Sequence, residues 1–305
     1  MAIVKTDVPT TPMLCNETIL ALTERYPALT TELLTLTAYA RPIRSLILGT
    51  GARKVLFTAA HHANEWITAP ILLKFMEDLA RTAEDGASLS GVDAKSLLEQ
   101  VTIVAVPMVD PDGVALVTGE LKPEDPGYSA AREIAEGFPQ IPFPEGWKAN
   151  LTGVDLNLNY PAGWLQAREI KFMQGFDRPA PRDYVGRAPL NQPETRALAA
   201  YTEYIDPALV LAFHSQGQVI YWQFDDIFVP GAEELGQRLA QVSGYALEDT
   251  PYNSAFAGYK DWFIQNFRRP GYTVEVGLGE NPLPLAQFDT IYRENLPLLL
   301  RAAQG

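Results

Sequence analysis

Histidine occurs three times in 305 residues, and two of the three stand beside a glutamate, in Thr58-Ala59-Ala60-His61-His62-Ala63-Asn64-Glu65-Trp66. The third, His214, ends the apolar run Leu209-Val210-Leu211-Ala212-Phe213. Two imidazole nitrogens and one carboxylate oxygen are a ligand set that zinc accepts in a tetrahedron, and a catalytic site leaves the fourth place to water. His62 and Glu65, spaced HxxE, can aim both side chains at one ion from a single turn, and the distant His214 would close the set. The plain alternative makes His61 and His62 polar residues at a strand end and His214 a hydrogen-bonded core histidine.

One carboxylate further along also asks for an explanation. Gly271-Tyr272-Thr273-Val274-Glu275-Val276 reads as a strand with a glutamate among apolar neighbours, and a buried strand rarely keeps an unpaired carboxylate. Either Glu275 is a satisfied structural acid, bonded to a turn or to Arg268 or Arg269, or it stands beside a metal-bound water. In the second case it takes a proton as the water attacks a carbonyl and delivers it to the leaving amine.

Such residues need a scaffold to position them. Helical and extended patterns alternate without a linker or internal repeat, which is α/β organisation. Asn16–Tyr26 and Ala69–Thr82 read as helices, the latter with Ile71, Leu72, Phe75, Met76 and Leu79 on one face. Ser45–Leu48, Val55–Ala59, Val101–Val106, the run into His214, and Gln218–Gln223 read as strands, with helices near Pro193–Ile205, Gly231–Ser243 and after Gly258. Asp110-Pro111-Asp112-Gly113 has turn chemistry. Pro123–Arg187, rich in Pro, Gly, Trp and Arg, is too long for a simple connection and reads as a site-building loop region.

Composition narrows the classes. With 47% hydrophobic and 20% charged residues the chain is an ordinary globular protein able to bury a large core. A net charge of −13 without clusters of Lys and Arg argues against nucleic acid. The single cysteine, Cys15, cannot form an internal disulfide, so nothing requires an oxidising compartment. Met1–Thr11 lacks the pattern of a signal peptide and no apolar run reaches membrane-spanning length, so a cytoplasmic location with no membrane partner is expected.

Five strings occur in a telling order: His62-Ala63-Asn64-Glu65-Trp66, Gly153-Val154-Asp155-Leu156-Asn157, Phe213-His214-Ser215, Lys260-Asp261-Trp262 and Thr273-Val274-Glu275. In sequence and order they resemble the zinc carboxypeptidase family. The resemblance implies a three-layer α/β/α fold on a mixed, mostly parallel twisted sheet. It also implies one catalytic domain over 1–305, its first ~40 residues a helical extension. It implies one Zn2+ per chain on His62, Glu65 and His214, with Glu275 as general base and His61 left out. Asp155 would orient the first zinc histidine. Lys148 is the basic residue nearest the place of the family's oxyanion-stabilising arginine. Asn157 would bind a substrate carboxylate or carbonyl, and Tyr252 would be the mobile tyrosine that covers bound substrate.

Two departures bear on the substrate. The family continues its Gly-Val-Asp motif through Asn-Arg, the arginine clamping a terminal carboxylate; here Leu158 follows Asn157. Lys260 occupies the position at the base of the side-chain pocket, where a cation favours an acidic group. With Trp147-Lys148-Ala149-Asn150 and Glu275-Val276-Gly277, these features resemble the bacterial γ-D-glutamyl-L-diamino-acid peptidase branch. The expectation is hydrolysis of the γ-D-glutamyl–meso-diaminopimelate bond of small murein peptides. The alternatives are a general zinc carboxypeptidase preferring acidic C-terminal residues and a non-catalytic wall-peptide-binding homologue. A serine hydrolase built on His214-Ser215-Gln216-Gly217 fails, because Phe213 replaces the first glycine of the nucleophile elbow and no histidine follows His214.

Overall fold

The computed structural model describes residues 2–305. Among them the strands, in chain order, are β1 (Leu29–Leu36), β2 (Pro42–Leu48), β3 (Arg53–Thr58), the short pair β4 (Ser88–Leu89) and β5 (Val92–Asp93), β6 (Val101–Val106), β7 (Leu209–His214), β8 (Val219–Tyr221), β9 (Ala246–Glu248) and β10 (Gly271–Glu275). All but β4 and β5 join one sheet in the order β1-β2-β6-β3-β7-β10-β8-β9. Its centre, β6-β3-β7-β10, is parallel, while β1–β2, β2–β6 and β10–β8 pair antiparallel.

Parallel strands are covered on both faces and therefore read as continuous apolar runs. Successive side chains point to opposite faces, and here they feed two separate cores. Val55, Phe57, Ile103, Ala105, Leu209, Leu211 and Phe213 enter one. Leu56, Val104, Val106, Val210 and Ala212 enter the other.

The helices are α1 (Pro12–Arg25), α2 (Ala69–Glu84), α3 (Ala94–Gln100), α4 (Pro111–Val117), α5 (Pro126–Glu136), α6 (Trp164–Met173), α7 (Pro193–Ile205), α8 (Ala232–Ser243), α9 (Tyr259–Phe267) and α10 (Phe288–Gln304). The first core is closed by α1, α2, α3, α8 and α10, and the second by α7 and α9. Layers of helix, sheet and helix result. Each large apolar side chain buried this way contributes roughly 1.5–3 kcal/mol against the entropy of ordering the chain.

Three expectations change. The first 40 residues are not a helical extension: α1 is followed by β1, an edge strand of the main sheet paired to β2 from Leu29↔Leu48 to Leu36↔Pro42. Asp110-Pro111-Asp112-Gly113 is not a free turn but the start of α4, with Asp110 Oδ1 accepting from Gly113 N at 2.9 Å and Pro111 in the first turn. Aspartate at the N-cap and proline behind it start helices as readily as they make turns. The Pro123–Arg187 stretch folds in part into α5 and α6.

Candidate functional site

The carboxyl ends of the central parallel strands converge on one crevice, the place where open α/β sheets hold their ligands. β3 runs beside β7 in the register Thr58↔Ala212, so the segment after β3 and the end of β7 arrive together. His62 precedes a 3-10 turn, Ala63–Thr68, that carries Glu65, and His214 is the last residue of β7. Thr68 locks the turn: its hydroxyl accepts from Ala60 N at 2.9 Å and donates to Glu65 O at 2.8 Å.

The donor atoms of His62, Glu65 and His214 all lie within 4.8 Å of one another, and all three side chains are buried. His62 Nδ1 is 2.9 Å from Glu65 Oε1, His214 Nδ1 is 3.0 Å from Glu65 Oε2, and the two Nδ1 atoms are 3.1 Å apart. Two ring nitrogens facing each other across one carboxylate concentrate lone pairs on a single point. Nitrogen and oxygen donors so arranged fit zinc. His61 stands apart, its ring stacked on His214 and its Nε2 3.4 Å from the Tyr160 hydroxyl.

Behind the cluster, Asp155 Oδ1 is 3.0 Å from His62 Nε2, so the far nitrogen donates to a carboxylate while Nδ1 faces the donor cluster. Burial opposes the charge of Asp155, but His62 and Lys148 outweigh it and hold this carboxyl below the usual range. Glu65, also opposed by burial, is held well below its ordinary value by His62 and His214. Both acids are ionised.

Glu275 behaves differently. It ends β10, in register with His214 of β7, which sets it beside the ligand cluster. Burial, and then the charge of Glu65, push its carboxyl up to about 8, against the pull of Lys148 and His62. Neither arginine pairs with it; Arg269 bonds Asp206 at 2.6 Å instead. A carboxyl whose charge is opposed in this way becomes a carboxylate again beside a cation, and can then take a proton and give it back. Lys148 is tied to the same turn, since Ala63 N donates to its carbonyl at 3.1 Å. Burial opposes its charge, yet Asp155 and Glu65 raise its pKa, so it stays a cation.

Two cavities meet at Glu275, Lys148 and Tyr221. One, of about 190 Å³, is lined by His62, Asn157, Leu158, Lys171 and Lys260 among others. The other, of about 660 Å³, reaches Asn64, Glu65, Arg182 and Asn281. Asn157 Oδ1 accepts from Tyr259 N at 3.0 Å, which leaves its amide nitrogen to donate elsewhere. Lys260 does not face solvent. It is 3% exposed, 2.6 Å from Asp261 Oδ1, and bonded also to Gln223 O and to Thr250 Oγ1. Tyr252 stays outside: it is 70% exposed and packs edge-on against Phe256, while its neighbours Pro251 and Ser254 line the smaller cavity. Sequence reasoning missed Tyr221, Lys171, Arg182 and Asp183. The last three come from the Pro123–Arg187 stretch, where no motif marks them.

Ser215 is no nucleophile paired to His214, because its hydroxyl donates to Asn281 Oδ1 at 2.8 Å. Cys15 is buried, with its thiol pushed up to about 12 by burial, and is inert.

Comparison with known proteins agrees with this geometry. Residues 15–298 match the profile of the zinc carboxypeptidase family. The chain is 42% identical over 290 residues to gamma-D-glutamyl-L-diamino acid endopeptidase 1 of Lysinibacillus sphaericus, covering 94% of this chain and 70% of that one. It is similar in fold to bovine thrombin-activatable fibrinolysis inhibitor, with a TM-score of 0.73 at 17% identity over 96% of each chain. The murein-tripeptide amidase of Escherichia coli O157 superposes with a TM-score of 0.56 at 21% identity, over 89% of this chain and 91% of that one.

Proposed function

Since the chain belongs to the zinc carboxypeptidase family and is a zinc metallopeptidase, we propose that it hydrolyses the γ-D-glutamyl–meso-diaminopimelate bond of murein-derived peptides. The observation that carries the reading is the cleft itself. Lysines line the cavity beside the ligand cluster, where Leu158 replaces the arginine of an ordinary carboxypeptidase. The relatedness to a gamma-D-glutamyl-L-diamino acid endopeptidase supports the same substrate class.

His62, Glu65 and His214 would hold the zinc, which would supply a Lewis acid and lower the pKa of water toward neutrality. Glu275 accepts the proton as water attacks the γ-glutamyl carbonyl and passes it to the leaving amine. Lys148 places a positive charge beside the oxyanion that develops. Asp155 keeps the His62 ring in one tautomer and one orientation. Asn157 donates its free amide to the substrate, Lys260 sets the polarity of the pocket base, and Tyr252 covers the bound peptide when the segment around it closes. The reading takes the substrate to be a soluble fragment and the location to be the cytoplasm. Separately, no helix among the described residues is long and apolar enough to cross a membrane.

The test is incubation of the purified protein, with zinc and separately with a chelator, on L-Ala-γ-D-Glu-meso-diaminopimelate and on hippuryl-phenylalanine. Release of diaminopimelate from the first alone, abolished by chelation, is expected. Cleavage of hippuryl-phenylalanine instead would make the protein a general carboxypeptidase, and cleavage of neither a binding homologue.

A further inference from the structure

The smaller cavity holds a second buried lysine that neither the motifs nor the proposed mechanism uses. Lys171, on α6, is 7% exposed, and its ammonium lies 2.7 Å from Asp183 Oδ1. An ammonium has three N–H donors. Those of Lys260 are matched by three partners, Asp261, Gln223 and Thr250. Lys171 has Asp183 as its one side-chain partner among the described residues, and Asp183 is shared, since Arg182 Nε donates to its Oδ2 at 2.6 Å. Sharing one carboxylate between two cations leaves Lys171 with unused donors. A lysine is buried at considerable cost unless something further accepts from it.

Its position says what that is. Ala167, one helical turn earlier on the same face of α6, is buried in one cluster with Leu158, the residue that stands where the family has its carboxylate-clamping arginine. Leu158 and Lys171 line the same cavity, together with Asn157. Helix α6 thus brings a cation to the neighbourhood from which residue 158 has lost one. Asp183 fixes that cation firmly. Its backbone sits in the left-handed region at φ +64°, sparsely populated for a residue other than glycine, and its N–H donates to Asp155 Oδ2 at 3.3 Å.

We propose that Lys171 binds the α-carboxylate of the residue released by the cut, and so replaces the missing arginine from a different element of the fold. This rests on the proposed reading for the identity of the leaving residue, diaminopimelate, but not for the carboxylate itself.

The experiment compares two substrates, L-Ala-γ-D-Glu-meso-diaminopimelate and the same peptide with that α-carboxylate amidated. Wild type should prefer the acid by about tenfold to a hundredfold in kcat/KM, chiefly through KM. Lys171→Met should bring the acid-to-amide ratio to about one, and Lys171→Arg should restore part of it. A wild-type ratio near one overturns the proposal without any variant. So does a ratio that survives Lys171→Met, or one that vanishes in Lys260→Met alone. If the wild type cleaves hippuryl-phenylalanine and not the murein peptide, the proposed substrate is wrong, and hippuryl-phenylalanine and its amide give the same ratio test. If it cleaves none, calorimetric binding of the two tripeptides to the zinc-loaded protein supplies the ratio, and equal or absent binding overturns the anchor.

Discussion

Three glutamates, one chemical group, are given three different tasks by their surroundings. Glu65 faces two histidines and is held ionised; Glu275 faces Glu65 and is pushed up to about 8. Glu275→Gln keeps the shape but removes the proton acceptor, so kcat should fall by about 10²- to 10⁴-fold while zinc content, measured by metal analysis, stays stoichiometric. Loss of the metal in that variant would show that Glu275 is a ligand and not a base. Asp155→Asn should act oppositely, weakening zinc affinity by about 10- to 100-fold in a competition titration, because the His62 ring loses the carboxylate that orients it. Glu194 is the third case. Its carboxyl is 1% exposed, lacks a hydrogen-bond partner of normal geometry, and is raised to about 7, chiefly by burial. A folded pKa above the unfolded one means that the native state holds this proton more tightly. That stabilisation is complete below the unfolded value of about 4.5 and is lost as pH rises through 7. The loss is on the order of 3 kcal/mol. Glu194→Gln, which mimics the neutral form, should match wild type in thermal unfolding near pH 5 and melt several degrees higher near pH 8. Parallel pH profiles for the two proteins would count against the neutral carboxyl.

At the scale of elements, what the sequence reveals depends on how one-sided each element's environment is. β3, β6, β7 and β10 are buried on both faces and their apolar runs announce them; α2 buries Ile71, Leu72, Phe75, Met76 and Leu79 at helical spacing and does the same. β1 is an edge strand that leaves Leu33 and Leu36 exposed, so its pattern of Leu, Thr and Glu carries no clean alternation. The metal cluster is legible for a local reason, an HxxE pair on one turn and a histidine at a strand end. Lys171, Arg182 and Asp183 are not: the packing of α6 beside Leu158 brings Lys171 to the site, and backbone bonds from the segment after α6 to Lys148 and Asp155 bring the other two. Gly113 shows the same dependence on packing. A Cβ there would come within 2.5 Å of Ala149 O and 2.8 Å of the Ala63 side chain, because α4 is pressed between the turn that follows His62 and the segment that follows Lys148. Gly113→Ala should therefore destabilise the protein by about 1–3 kcal/mol and also weaken zinc binding, since both segments must shift. A variant with a lower melting temperature and unchanged zinc affinity would mean that the strain is absorbed away from the site.

For the molecule as a whole, two properties pull in different directions. The net charge of −13 repels an acidic peptide at a distance, so on the proposed reading the attraction of a substrate carboxylate falls to cations inside the cleft, of which Lys171 is the one with donors to spare. The metal site, by contrast, joins parts of the chain that the sequence keeps far apart. It ties the turn after β3 to the end of β7 on a sheet whose two cores are closed by helices on both faces. Those cores do not depend on the ion, so the metal-free protein should remain folded and merely lose the stabilisation that binding adds. With zinc at a thousandfold its dissociation constant that is about 4 kcal/mol, which for a chain of this size lowers the melting temperature by about 5–10 °C. Chelation should thus shift one cooperative transition downward, leave the far-ultraviolet circular dichroism at room temperature unchanged, and abolish hydrolysis until zinc is restored. If chelation instead removed the secondary structure, the ion would be holding the fold together, and the separation argued here between a self-sufficient scaffold and a site placed at its strand ends would be wrong.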